Sequence, residues 1–323
     1  MTNSHAPAKK SPWRWVKRVL AALGILIFVF IFFVVPYGLS WLLTKAQSRP
    51  SDREMVSTPA NYDLPFQSVR FHATDGTALA GWWIPVENSP VVLLYGHGLF
   101  RSRQETLERA AYFAQRGYAG FLLDFRRHGE SAGELCGVGY LERQDVLGAI
   151  EFMRDTLGVE QPLITFAVSM GTAAAMLAAA ESPEIAGLIL DSSFLSFDNL
   201  IAHHVKIGLG IPRFPIADEI ILFTKWRVGF ENEAFDMRHA VEKIGDRPIL
   251  FLVGSDDVRM PPEISRELCE RSPSTHKKVV VVEGASHGAA FRINAPLYEQ
   301  EVLDFLSSNF GAKHAAASTE PRF

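Results

Sequence analysis

Three positions in the C-terminal half of this 323-residue chain are of the types that attack a carbonyl together. The first is the serine of Ala167-Val168-Ser169-Met170-Gly171, where a β-branched, aromatic run gives way to a small-residue helical one. A serine at the tip of a strand-to-helix turn is held clear of the sheet, and the turn aims the next backbone N–H, that of Met170, where an oxyanion would form. A hydroxyl is a weak nucleophile and needs a base, which needs a carboxylate to orient it. Two later apolar runs end in such groups: 249–253 in Gly254-Ser255-Asp256-Asp257, and 278–282 in Glu283-Gly284-Ala285-Ser286-His287-Gly288. The alternative for Ser169 is an inert helix N-cap. Alanine at 167, where a glycine is expected, keeps the smallness required at the end of a buried strand.

For these side chains to meet, the strands that carry them must lie side by side. Residues 68–72 and 79–84 flank the turn Thr74-Asp75-Gly76-Thr77 and read as a hairpin, so the sheet begins antiparallel. Six short apolar runs follow, at 91–95, 119–124, 163–167, 187–191, 249–253 and 278–282, of the kind a sheet buried on both faces requires. Helical spacing at 103–116, 145–156, 170–181, 262–271 and 296–309 alternates with them. The expectation is an α/β fold with an eight-stranded, mostly parallel sheet and helices on both faces. The interval 193–247 has no clear strand but many large apolar residues, including Phe194, Phe197, Phe223 and Trp226, and reads as a small helical cap.

The chain resembles the α/β-hydrolase superfamily over about residues 66–310. It is most similar to the branch holding monoacylglycerol lipase-like and lysophospholipase-like esterases and serine aminopeptidase-like hydrolases. Four motifs carry the resemblance: Tyr95-Gly96-His97-Gly98, Asp124-Phe125-Arg126-Arg127-His128-Gly129-Glu130-Ser131, the serine turn, and the Asp and His loops. The resemblance implies Ser169 as nucleophile, His287 as base, and Asp257 rather than Asp256 as the acid, since a proline stands four residues further on. Asp191, ending the sixth strand, is where some members carry the acid. The resemblance also implies the N–H of Leu99 as the second oxyanion donor beside Met170, with Phe100 as the alternative, and bracing roles for His97 and the Asp124 to Ser131 motif. Such chemistry needs no metal or organic cofactor. The adjacent His203 and His204 do not share a helix face and read as part of the cap, not as metal ligands.

Residues 19–43 carry no ionisable group except Tyr37, enough to cross a bilayer as one helix. Lys9, Lys10, Arg14, Lys17 and Arg18 crowd the N-terminal flank, whereas Lys45, Arg49 and Arg53 are interleaved with Asp52 and Glu54. The basic flank therefore belongs in the cytoplasm and the remainder on the other side. The expected organisation is a cytoplasmic N-terminus at 1–18, an uncleaved transmembrane anchor at 19–43, a linker at 44–65, the catalytic domain at 66–310 and a disordered tail at 311–323. A composition of 48% hydrophobic and 21% charged residues with net charge -4 gives no reason to expect nucleic acid or an acidic substrate, so specificity must come from a local site. Cys136 and Cys269 are too few for a disulfide scaffold and leave one bridge open as a choice.

The resulting expectation is hydrolysis of a carboxylic ester or thioester, with an apolar or lipid-like small molecule as substrate. A peptidase or amidase is the first rival, and it would need a carboxylate in the cap to bind an amine, with Asp218, Glu219, Glu231, Glu233 and Asp236 available. A membrane-tethered, non-catalytic binding module is the second. The oligomeric state is not legible in the sequence.

Overall fold

A computed structural model describes residues 12–311; Lys9, Lys10 and the tail expected to be disordered from 312 onward lie outside the described residues. The strands are β1 (Gln67–His72), β2 (Ala78–Ile84), β3 (Val92–Gly96), β4 (Ala119–Asp124), β5 (Leu163–Val168), β6 (Ile185–Asp191), β7 (Ile249–Gly254) and β8 (Lys277–Val282). They form one sheet in the order β1-β2-β4-β3-β5-β6-β7-β8, in which β2 runs antiparallel to both β1 and β4 and the other pairs are parallel. Every residue of β3, β4, β5 and β7 is buried, as helices on both faces demand.

The helices are α1 (Pro12–Val29), α2 (Val35–Thr44), α3 (Pro50–Arg53), α4 (Gln104–Ala114), α5 (Glu142–Asp155), α6 (Met170–Glu181), α7 (Phe197–Leu209), α8 (Ile216–Val228), α9 (Met237–Lys243), α10 (Pro262–Arg271), α11 (Ala290–Ile293) and α12 (Ala295–Phe310). The core divides across the sheet. Phe71, Phe121 and Phe125 pack with residues of α5, α6 and α9 on one side, while Trp82, Tyr95, Phe166 and Tyr298 pack with α4 and α12 on the other. Each such ring buried from water contributes on the order of 2 kcal/mol. Helix α5 starts three residues earlier than its spacing suggests, because the buried Glu142 carboxylate accepts the N–H groups of Gly137 (2.9 Å) and Gly139 (2.7 Å) and anchors the first turn. The interval between β6 and β7 holds α7, α8 and α9, with a single isolated bridge between Ser196 and Asp236 as its extended structure.

Helices α1 and α2 are continuous through a π-helical stretch, Phe30–Val34. The wider turn lies just before Pro36, which has no N–H to donate to a preceding carbonyl. The run Trp13–Thr44, 32 residues, is long and apolar enough to cross a membrane. Its last three turns do not stand free of the rest of the protein. Pro36, Ser40 and Thr44, four residues apart, form a buried stripe against α8. There Ser40 Oγ lies 3.0 Å from Thr224 Oγ1 and accepts from Arg227 Nη1 at 2.7 Å, and the Tyr37 and Phe223 rings meet edge to face. Beyond the helix the chain is laced down by its backbone. Cys136 N–H donates to Thr44 O at 2.8 Å, Arg127 donates to Lys45 O and Ala46 O, and Arg49 N–H donates to Phe100 O at 2.9 Å.

Candidate active site

Ser169 stands between β5 and α6 with φ 51° and ψ -115°, a backbone conformation that costs on the order of 1–3 kcal/mol and lifts the side chain off the sheet. Its N–H donates to Asp191 O at 2.8 Å, which ties the turn to β6. The hydroxyl makes no capping bond to α6. A Cβ on Gly171 would lie 2.8 Å from Gly96 O, so that position admits no side chain. Ala167 is accommodated because its register partner on β3 is Gly96.

His287 Nε2 is 2.9 Å from Ser169 Oγ, and its Nδ1 is 2.8 Å from Asp257 Oδ2. The tautomer this implies donates from Nδ1 to the carboxylate and leaves Nε2 to accept from the serine hydroxyl. Asp257 is 2% exposed. Its second oxygen accepts the N–H groups of Arg259 (3.0 Å) and Met260 (2.9 Å), so the loop after β7 fixes the carboxylate. A Cβ on Gly254 would fall 2.0 Å from Ala285 O, and the missing side chain there lets the Asp and His loops touch.

The other two candidate acids lie elsewhere. Asp256 is exposed and accepts from Ser255 Oγ. Asp191 is fully buried and accepts from Tyr298 Oη (3.0 Å), Ser192 Oγ (3.0 Å) and Arg109 Nη2 (3.4 Å). Burial, then the neighbouring Asp191 charge, pushes the Tyr298 phenol well above its usual range, so it stays a donor. The Arg109, Asp191 and Tyr298 group escaped the sequence reading, because its members lie 82 and 107 residues apart on three elements and share no motif.

The loop after β3 brings a further backbone N–H to the cavity that Met170 lines. Phe100 N–H donates to His128 Nε2 at 3.3 Å, whereas the Leu99 and Met170 N–H groups bond to nothing among the described residues. Glu105 Oε2 accepts from Gly98 N–H at 2.6 Å and holds the loop from α4. His97 is buried behind it, with Nδ1 donating to Gly98 O (2.8 Å) and Nε2 accepting from Phe125 N–H (3.0 Å); it braces the loop and does not reach Ser169. Burial, reinforced by neighbouring positive groups, holds the His97 imidazole well below the usual histidine range, and burial also lowers His128.

Because both rings bind a proton less readily when folded than at their ordinary pKa of 6.5 when unfolded, they add stability above that pH that is lost as the pH falls. Thermal unfolding is expected to be flat above about pH 7 and to drop steadily toward about pH 5. An unchanged Tm over that window would show that neither ring gains a proton on unfolding.

Ser169 and His287 open into a cavity of about 810 Å³. Leu99, Val138, Met170, Phe194 and Ile201 make its apolar wall, and α7 contributes His204 and Ile207. Leu43 and Arg49 also line it, although the sequence marks them only as the end of an apolar run and part of a linker. Of the five cap carboxylates available to a peptidase, none lines the cavity, and Asp218 and Asp236 are paired with Arg213 and Arg238. His204 donates through Nδ1 to Leu200 O and His203 bonds Val258 O, so the two rings are used separately. Cys136 and Cys269 are free; Cys136 is buried with its Sγ 3.9 Å from Met170 Sδ.

Residues 88–214 match the family model described as serine aminopeptidase, S33. The uncharacterized protein YqkD of Bacillus subtilis is 23% identical over 307 residues, covering 91% of this chain and 98% of that one. The uncharacterized membrane protein YNL320W of Saccharomyces cerevisiae is 25% identical over 238 residues, 73% of this chain and 78% of its own length. Among solved structures, the Pyrococcus furiosus esterase Pf2001 superposes with a TM-score of 0.68 at 22% identity, covering 79% of this chain and 96% of the esterase.

Proposed function

Starting from the α/β-hydrolase fold to which this chain belongs, we propose that it is a membrane-anchored serine hydrolase that cleaves carboxylic esters or thioesters of apolar, lipid-like substrates. The observation that carries this reading is the unbroken chain from Ser169 through His287 to Asp257, at 2.9 Å and 2.8 Å, opening into a largely apolar cavity. Ser169 Oγ attacks the carbonyl carbon while His287 Nε2 takes its proton, and Asp257 holds the ring and stabilises the imidazolium. The tetrahedral oxygen is bound by the N–H groups of Met170 and Leu99, both free to donate. His287 returns the proton to the leaving alcohol or thiol, and water then releases the acyl group by the same route in reverse order.

An ester fits better than a peptide with a free N-terminus. A charged amine needs a carboxylate partner inside the site, and the one carboxylate that lines the cavity among the described residues, Glu105, is already engaged by Gly98 N–H and Arg101 Nε. Tethering is supported by the helical run Trp13–Thr44, long and apolar enough to cross a membrane, and the basic residues in and before its first turns favour a cytoplasmic N-terminus with the catalytic domain on the opposite side.

The test is labelling of the whole chain in detergent by a fluorophosphonate probe, run beside acyl nitrophenyl esters and aminoacyl anilides. Wild type should label and turn over the esters, and Ser169→Ala should do neither. A wild type that stays unlabelled removes the catalytic reading, and turnover confined to the anilides replaces the esterase with a peptidase.

A further inference from the structure

The cavity holds more positive charge than its own structure uses. Five arginines line it: Arg49, Arg101, Arg109, Arg259 and Arg292. Arg101 is committed to Glu105 (3.0 Å) and Asp52 (3.4 Å), and Arg109 to Asp191 (3.4 Å). The other three form no ion pair among the described residues and are exposed at the mouth. They come from three different segments, each fastened beside a different part of the proposed machinery. Arg49 N–H is bonded to Phe100 O in the loop carrying Leu99; Arg259 N–H is bonded to the Asp257 carboxylate; Arg292 sits in α11, five residues after His287.

Resting on the ester-hydrolase reading above, we infer that Arg49, Arg259 and Arg292 form a receptor for an anionic group of the substrate, a phosphate or carboxylate carried on the same molecule as the acyl ester. The guanidinium presents a rigid fork of donors that matches both groups, and three like charges at one opening raise the local concentration of an anionic substrate. The apolar wall takes the acyl chain while the mouth takes the charge, so the substrate class is an anionic monoacyl amphiphile. The net charge of -4 conceals this, because the remainder of the surface outweighs three residues at one opening.

The experiment compares a lysophosphatidate with the monoacylglycerol of the same chain, each dilute in neutral detergent micelles with the full-length protein. A third substrate, butyryl glycerol phosphate, is fully water-soluble and tests whether the anion is read off a lipid headgroup or off any acyl phosphate ester. The expected kcat/KM is at least about tenfold higher for the lysophosphatidate than for its uncharged partner, with that ratio falling toward one in Arg49→Gln/Arg259→Gln/Arg292→Gln. The wild-type ratio should also shrink from low to high salt, a readout that needs no variant. Preference for the soluble phosphate ester over glyceryl butyrate assigns recognition to the anion alone, and its absence alongside a lysophosphatidate preference assigns it to the lipid form. A ratio of one or less with the monoacylglycerol turned over overturns the inference and leaves the hydrolase standing. A ratio unmoved by both the triple variant and salt overturns the arginine assignment. Absence of turnover of every ester, with no fluorophosphonate label, removes the hydrolase and the inference together.

Discussion

Ser169→Ala is expected to lower kcat on an acyl ester by roughly a million-fold, with His287→Ala about as severe and the double variant little worse than either. Non-additivity is the informative part. In the proposed mechanism the serine hydroxyl and the imidazole 2.9 Å away carry out one proton transfer, so removing either would abolish the step that both serve. On that reading, catalysis by the Met170 and Leu99 N–H groups and by substrate binding should remain, roughly a thousandfold over water. Neither change should unfold the protein, since Ser169 makes no cap bond to α6 and His287 lies in a loop. Steady-state kinetics of the three variants against wild type checks this; a Ser169→Ala rate within about tenfold of wild type would sink the nucleophile assignment.

The second large effect separates two buried aspartates. Asp257→Asn keeps the shape of the carboxylate but removes its charge and reverses the preferred tautomer of His287, so kcat should fall by about ten-thousandfold while KM moves little. Asp191→Asn should behave in the opposite manner. Its carboxylate partners Arg109 and Tyr298 below the cavity and does not touch His287, so the loss falls on folding, on the order of 3 kcal/mol for an unpaired buried guanidinium. Far less of it should fall on kcat per folded molecule. Paired measurements of kcat and urea midpoint decide the matter: a severe kcat defect in Asp191→Asn together with a mild one in Asp257→Asn would exchange the two roles.

Strands β3 to β7 were readable because each is a short apolar run closed by Gly, Asp or Ser, β8 because it is a run of valines, and the antiparallel start from the Asp75-Gly76 turn. Strand edges moved by one or two residues, as at β6, which begins at Ile185 and not at Gly187. The choice between Asp256 and Asp257 lay beyond periodicity. It depends on a turn in which the N–H groups of Arg259 and Met260 capture one carboxylate oxygen and leave the other for His287. The docking of residues 44–49 onto the sheet domain was invisible for a different reason. The backbone groups of Thr44, Lys45, Ala46 and Arg49 make four of the bonds, and every sequence has such groups, while the Ser48 hydroxyl and Lys45 ammonium bond only to backbone atoms of residues far away in sequence. The residues that join the cavity across such distances, Leu43 and Arg49 among them, leave no pattern in the sequence at all.

That lacing makes the N-terminal helix and the residues just after it a structural part of the candidate site. Leu43 ends the apolar run and is also a stave in the cavity wall, and six residues later Arg49 stands at the mouth. A protease nick after Arg49 and before Phe66 that released the N-terminal segment would also take away the Thr44, Lys45 and Ala46 carbonyls that hold Cys136 and Arg127. A version trimmed for solubility would therefore present a different cavity, open on one flank. Extraction in detergent with the N-terminal helix intact preserves the cavity whole.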